Sequence, residues 1–278
     1  MKTKGITYMS SVRLLRICVA LAAVGAIALP ASASAAPVLT LSGSTSVAPL
    51  ANLLARGYLK ANPGAIKFKL AQGGSDVGVA DAAAGRVSIG MSSRDPKSTD
   101  RGVSFNKIAK DGICIITNKA NPVGDLSTAQ IKAIFGGQVR DWSDPSIGSN
   151  ISGTIDVVIR TAASGTQDAF QKIFLGSTSI LSAAAQKASN GLIQQAVQSN
   201  KNAVGFVSMD FIDGTNAAAY NGIACNLRNA KSGDYGGVRN FWMVTRGRAA
   251  GNSAKFISWV QNSAAAAAIT GTHWVPLK

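Results

Sequence analysis

Residues 38–58 have the sequence VLTLSGSTSVAPLANLLARGY, in which a turn of small hydroxyl residues joins a short apolar strand to a helix. The strand is expected at Val38–Leu41. After the turn, apolar residues recur at the spacing of an amphipathic helix: Val47, Leu50, Leu53, Leu54 and Tyr58. A strand that enters a helix in this way is typical of α/β folds.

The same alternation continues along the chain and predicts an α/β architecture. Further strands are expected at residues 66–70, 87–91, 113–117, 155–159, 203–207 and 241–245. The first helix is expected to end at Asn62-Pro63-Gly64, and others are expected at residues 76–84, 128–135, 166–174 and 252–268. A capping box, Ser127-Thr128-Ala129-Gln130, opens the 128–135 helix.

The first 35 residues have the pattern of a secretory signal peptide. Four basic residues precede an apolar run from Ile17 to Leu29, and Pro30 and small residues follow, so cleavage is expected after Ala35. A membrane anchor is the alternative, but the run has about 13 residues and a spanning helix needs about 20. We expect export to the periplasm, with release into the medium as the alternative.

The charge of the chain favours an anionic partner. The formal net charge is +15, and removal of the four basic leader residues lowers it to +11. The lysines and arginines are scattered, and no basic stripe alternates with aromatic residues as a nucleic-acid groove requires. We therefore expect no nucleic-acid partner. The alternative is that the positive net charge serves only to keep the protein soluble.

Two cysteines, Cys114 and Cys225, remain after the leader. A disulfide between them is allowed, because an exported protein folds in an oxidising compartment. Both have apolar neighbours, so two buried thiols are the alternative, which the sequence leaves open.

Three strand-to-helix turns rich in Ser, Thr and Gly are candidates for anion binding. They are SGSTS (residues 42–46), QGGS (72–75) and RTAASGT (160–166). A helix N-terminus presents unpaired N–H groups and partial positive charge, and glycine lets the backbone approach a ligand. The guanidinium of Arg160 matches an oxyanion. Ligands of α/β sheets bind beyond the carboxyl ends of the strands, so we expect the turns to converge.

Each turn also has a purely structural interpretation, because Ser and Thr are ordinary helix N-caps. A fourth turn, GMSSR (residues 90–94), follows another expected strand. Its Arg94 either reaches the ligand or pairs with a carboxylate at the rim of the site.

These motifs together resemble the phosphate-binding proteins that serve ABC-type phosphate importers. The resemblance spans nearly all of the chain after the leader and rests on GSTSVAPL (43–50), QGGS (72–75), IGMSSR (89–94), LSTAQI (126–131), IFGG (134–137), Trp142, Arg160 with SGT (164–166), Phe170 and VGFVS (204–208). The ordered set is specific, although no single motif is.

The resemblance implies an α/β periplasmic-binding-protein fold of type II, with two Rossmann-like lobes joined by two crossover strands. Crossings are expected near Ile115 and Phe241, which gives lobe I residues 36–115 and 242–278 and lobe II residues 116–241. The implied protein is a monomer that binds phosphate between its lobes without catalysis, metal or cofactor, and delivers it to a membrane permease. Family ligand positions fall on Thr45, Ser46, Ser75, Arg160, Ser164, Gly165 and Thr166, and Ser44, Ser93 and Arg94 complete the candidate set.

Two departures from the family pattern bear on selectivity. Many members have Asp where this chain has Ser93, and that carboxylate accepts the proton of hydrogen phosphate and so helps to reject sulfate. A hydroxyl repels a bare oxyanion far less, so sulfate or molybdate is an alternative ligand. Asp76 and Asp95 are candidates to replace the carboxylate. Some members have Asp in place of Ala162, where it pairs with the binding arginine, so Arg160 is expected to be a freer charge.

An enzyme is the main competing class. A metallophosphatase needs clustered His, Asp and Glu ligands, but the chain has one histidine, His273, and no glutamate. Ser104-Phe105-Asn106-Lys107 and Lys231-Ser232-Gly233 approach two serine β-lactamase motifs, but no S-D-N motif follows. A secreted adhesin or extracellular phosphate scavenger of the same fold is the other alternative.

Overall fold

The computed structural model describes residues 36–277, so the predicted signal peptide lies outside the described residues. The strands are β1 (Val38–Gly43), β2 (Lys67–Gln72), β3 (Ile89–Ser92), β4 (Val103–Thr117), β5 (Asp125–Leu126), β6 (Asp156–Arg160), β7 (Ala185–Lys187), β8 (Ala203–Ser208), β9 (Asn216–Tyr220) and β10 (Val238–Arg246). The α-helices are α1 (Ala48–Ala61), α2 (Ser75–Ala83), α3 (Thr128–Gly136), α4 (Gly165–Phe170), α5 (Asn190–Ser199), α6 (Leu227–Ser232), α7 (Gly251–Asn262) and α8 (Ala264–Thr270). The α/β prediction is confirmed.

Two groups of parallel strands flank a long antiparallel pair in one continuous sheet. The strand order is β2-β1-β3-β10-β4-β8-β6-β7, and β9 pairs with both β4 and β5 beside this path. Strand β4 pairs with β10 over residues 103–112 and with β8 over residues 113–117. Strand β4 therefore runs from one parallel group to the other. The change of partner lies close to the expected crossing at Ile115, and the lobe boundaries stay a prediction.

Each half of the sheet buries its own hydrophobic core. Around β1, α1 and α7, the core includes Leu41, Leu50, Leu54, Tyr58 and Phe256. Around β8, α3 and α4, it includes Ile115, Phe135, Trp142, Phe170 and Phe206. These two cores hold the turns that follow β1 and β6 in fixed positions.

Most predicted elements are present, but the single late helix is wrong. Helix α7 ends at Asn262 and α8 begins at Ala264. Between them, Ser263 has an extended backbone, and its Oγ accepts the N–H groups of Ala265 (3.2 Å) and Ala266 (3.4 Å). The sequence has no proline between the two segments, and an alanine run follows from Ala264, but the serine starts a new helix there.

The two cysteines form a disulfide, with Cα atoms 5.6 Å apart, so the first of the two alternatives is confirmed. Cys114 lies on β4 and Cys225 lies before α6, and the bond closes a loop of 111 residues. Within residues 36–277, none of the helices combines the length and the apolarity that crossing a bilayer would take.

Candidate anion-binding site

Three serines from different turns meet at the carboxyl edge of the first parallel strands. Ser44 follows β1, Ser75 opens α2 and Ser93 follows β3, and all three are buried. Ser44 Oγ donates to Ser93 Oγ (2.9 Å), which lies 3.3 Å from Ser75 Oγ. The parallel pairing of β1 with β2 and β3 brings these strand ends together, as the sequence predicts. We call Ser44, Ser75 and Ser93 the serine cluster.

The turn after β6 lies directly against this edge. Thr166 Oγ1 is 2.9 Å from Ser46 Oγ, and the Asp76 N–H donates to the Ala163 carbonyl (3.1 Å). Ser164 Oγ accepts the N–H groups of Thr166 (3.2 Å) and Gln167 (3.3 Å), so it also serves as the N-cap of α4. The two halves of the molecule therefore meet through short polar contacts.

Two glycines permit this close approach. A side chain at Gly165 would collide with Ser75 Oγ. Gly74 has a φ of +99°, and a Cβ there would lie 2.6 Å from the Ala163 carbonyl oxygen. Only glycine fits these positions without a shift of the facing backbone.

Arg160 ends β6 and is 2% exposed. Its Nη2 donates to Thr45 Oγ1 (3.1 Å) and to the Ala188 carbonyl (2.8 Å), and its Nε donates to the Lys187 carbonyl (3.2 Å). Among the described residues, its Nη1 has no hydrogen-bond partner and no carboxylate pairs with it. This agrees with the freer charge that the sequence predicts at Arg160.

Burial and the nearby charge of Arg239 lower the pKa of Arg160 to about 10. The guanidinium is therefore still charged at neutral pH. A buried, charged donor with an open N–H group is suited to an anion.

The Arg94 side chain pairs with carboxylates, which is the second of its two expected roles. Its Nε donates to Asp76 (2.5 Å), and its Nη1 and Nη2 donate to the two oxygens of Asp100 (2.8 and 2.9 Å). Asp95 accepts from Asn240 (2.9 Å) and Trp242 (3.1 Å). Neither Asp76 nor Asp95 hydrogen-bonds to the serine cluster among the described residues.

Two side chains of the site were missed by sequence reasoning, Asn190 and Arg239. Asn190 Nδ2 donates to Thr45 Oγ1 (3.1 Å) and Ser46 Oγ (2.8 Å), and Arg239 Nη2 donates to Ser46 Oγ (2.9 Å). Asn190 begins α5 behind the N-cap Ser189, a start signal that could have been found. Arg239 lies within a strand, where no turn motif marks it.

We call the serine cluster, Thr45, Ser46, Arg160 and Thr166 the donor cage. Its buried hydroxyls and its guanidinium group lie close together, and such groups bind an oxyanion without covalent chemistry. Within residues 36–277, no three His, Cys, Asp or Glu side chains are grouped as metal ligands.

The β-lactamase resemblance is not supported by the geometry. Ser104 and Lys107 lie on strand β4. Residues three apart on a strand point to opposite faces, whereas an S-x-x-K pair must lie on one face of a helix.

Comparison with known proteins identifies the family. A family model described as a PBP superfamily domain matches residues 30–264. The phosphate-binding protein PstS of Bacillus subtilis is 25% identical over 230 residues, which cover 81% of this chain and 75% of that protein. The phosphate-binding protein PstS 2 of Streptococcus agalactiae is 40% identical over 108 residues, and the match spans only 36% of its length and 38% of this chain.

A solved structure agrees over almost the whole described chain. It is described as a phosphate ABC transporter substrate-binding protein from Clostridium perfringens with bound phosphate. The TM-score is 0.81 at 33% identity, with 87% of this chain and 100% of that chain covered. The predicted two-lobed type II fold is thereby confirmed. The chain belongs to the PBP superfamily and, within it, to the substrate-binding proteins of phosphate ABC transporters.

Proposed function

We propose that the protein binds inorganic phosphate reversibly at the serine cluster, Thr45, Ser46, Arg160 and the SGT turn of residues 164–166. The observation that carries the proposal is the buried Arg160, which faces these hydroxyls and has no carboxylate partner among the described residues. An uncompensated buried charge is costly, and an anion at this point offsets the cost.

The binding cycle follows from the contacts between the two halves. We place the lobes at residues 36–115 with 242–278 and at residues 116–241. Phosphate first contacts the turns of lobe I, and closure brings Arg160 and the SGT turn onto it. Ligand binding favours the closed state, because only that state makes bonds from both lobes.

The family supports a role in import. The protein is exported through residues 1–35, acts in the periplasm as a monomer, and passes phosphate to the permease of an ABC importer. The names of its relatives, phosphate-binding proteins and a phosphate ABC transporter substrate-binding protein, support this assignment.

Sulfate is the second candidate ligand, and one observation favours it. The position where many family members have Asp is Ser93, whose hydrogen bonds run to Ser44 and Ser75. A neutral hydroxyl repels the unprotonated sulfate dianion less than a carboxylate does.

A thermal-unfolding assay separates the candidates. Residues 36–278 are unfolded and refolded to remove bound anion, and then melted with phosphate, sulfate or molybdate. A ligand at a hundredfold excess over its Kd adds about 2.7 kcal/mol to the free energy of unfolding. We expect this stabilisation from phosphate. An equal effect of sulfate would favour a general oxyanion-binding protein, and no effect of any anion would contradict the proposal.

A further inference from the structure

A buried ion pair lies beside the donor cage. Arg239 on β10 and Asp111 on β4 face each other in the antiparallel register, and they are 6% and 0% exposed. Arg239 Nε and Nη2 donate to Asp111 Oδ2 (3.0 and 2.8 Å), which also accepts from Ser208 Oγ (2.9 Å). A buried pair of this kind adds little net stability compared with apolar side chains, so its presence calls for another explanation.

The pair reaches into the cage through its arginine. Arg239 Nη2 donates to Ser46 Oγ, and Arg160 Nη2 donates to the adjacent Thr45 Oγ1. The two guanidinium groups thus approach the same turn from different strands. They are close enough for the charge of Arg239 to lower the pKa of Arg160.

One nitrogen of the Arg239 guanidinium group, Nη1, is still free to donate a hydrogen bond beside the donor cage. Its Nη1 is buried and has no hydrogen-bond partner among residues 36–277, as is also true of Arg160 Nη1. A cavity of about 130 Å³ is lined by both Ser93 and Arg239. The carboxylates that share this lining have other partners: Asp95 accepts from Asn240, and Asp168 pairs with Lys97 and Lys172.

We propose that Arg239 is a second arginine that contacts the bound oxyanion, and that Asp111 balances its charge. The two arginines and Asp111 together carry one net positive charge in the site. A dianionic tetrahedral oxyanion then receives guanidinium donors from both β6 and β10. This inference rests on the proposed function and extends it to a residue outside the turn motifs.

The test substitutes both residues of the Arg239–Asp111 ion pair in one variant. The double variant Arg239→Met with Asp111→Asn removes the proposed contact, leaves neither member of the ion pair buried with an unpaired charge, and keeps the net charge of the site unchanged. A loss of affinity then reports the local interactions of Arg239, which are the proposed contact with the anion and the bond to Ser46 Oγ, rather than the long-range field. Arg246→Met, on an exposed position of the same strand, is the matched control.

Inorganic phosphate is titrated into each protein by calorimetry, and folding is checked by thermal melting. We expect the double variant to bind phosphate about 10- to 100-fold more weakly, the range for a charge-assisted hydrogen bond, and Arg246→Met to bind within about twofold of the wild type. If the folded double variant keeps the wild-type affinity, Arg239 has only a structural role and the inference is wrong. Failure of the wild type itself to bind phosphate would instead overturn the proposed function, and the inference with it.

If the double variant does not fold, Arg239→Lys replaces it, since lysine keeps the charge opposite Asp111 but loses the planar fork. Weakened phosphate binding by this variant would support the contact, and unchanged binding would overturn it.

Discussion

At the scale of single residues, the side chain of Arg160 links the two halves of the molecule. It belongs to β6 of one half, yet its Nη2 donates to Thr45 of the other. Its remaining bonds run to the carbonyls of Lys187 and Ala188, which hold the guanidinium in place without neutralising it. The charge is therefore available to a ligand.

Arg160→Met is expected to weaken phosphate binding about 10- to 100-fold, because it removes a charge-assisted donor worth about 1.5–3 kcal/mol. Calorimetric titration measures the change. Arg140→Met, at an exposed position, is the control for the loss of one positive charge. Equal affinities of the two variants would contradict the role of Arg160.

Ser93→Asp is expected to sharpen the preference for phosphate over sulfate about tenfold or more. The new carboxylate would lie between the Ser44 and Ser75 hydroxyls and would repel an oxyanion that carries no proton. Competition of sulfate against phosphate measures the ratio, and Ser93→Asn is the neutral control of similar shape. Undiminished sulfate binding by Ser93→Asp would refute this account of selectivity.

At this scale, the sequence predicts those site residues that belong to turns. Helix N-termini after strands have a recognisable composition, and Ser46, Ser75 and Thr166 were found in this way. Arg239 could not be found, because its place in the site depends on the pairing of β10 with β4, a contact between residues 128 positions apart.

At the scale of one element, hydrogen bonds to a single carboxylate hold the loop after β3 in place beside the site. Asp100 accepts two bonds from Arg94 and one from the Lys97 N–H (2.7 Å). Burial raises the pKa of Asp100, but these bonds outweigh it and the pKa lies below its ordinary value. The folded pKa is thus lower than the unfolded one, so the contribution to stability is complete above about pH 4 and is lost as the pH falls further.

Asp100→Asn is expected to lower the free energy of unfolding by about 2 kcal/mol at pH 7, since it removes charge-assisted bonds. Below about pH 4 the difference in the free energy of unfolding between the variant and the wild type is expected to disappear. Urea unfolding at pH 7, 5 and 3 measures it, with Asp213→Asn at an exposed position as the control. If the difference in the free energy of unfolding does not depend on pH, the charge of Asp100 is not the cause of its contribution to stability.

The elements themselves were predictable where their periodicity was strong. The α1 helix and the buried strand ends followed from apolar spacing. The first ten residues of β4 were missed, because Ser104, Asn106 and Lys107 give them a polar, half-exposed pattern, and only their pairing with β10 makes them a strand.

Over the whole molecule, β4 and β10 connect two parallel groups that each have their own core. This topology was available only from the family resemblance, since periodicity alone does not give strand order. The disulfide also required the folded chain, because the sequence could not bring residues 111 positions apart to within bonding distance.

Cys114→Ala with Cys225→Ala is expected to lower the free energy of unfolding by about 2–4 kcal/mol, because the bond closes a long loop. Phosphate affinity is expected to stay within about twofold, since neither cysteine hydrogen-bonds to the site. Urea unfolding and calorimetry check the two parts. Unchanged stability would mean that the bond does not constrain the unfolded chain.

The most direct measurement of the central claim is a calorimetric titration of refolded residues 36–278 with phosphate at pH 7, with sulfate as the competitor. Our account predicts one phosphate per chain, with an affinity that is strongly reduced in Arg160→Met and with weaker competition by sulfate in Ser93→Asp than in the wild type. No binding of phosphate, or an unchanged affinity in Arg160→Met, would contradict it.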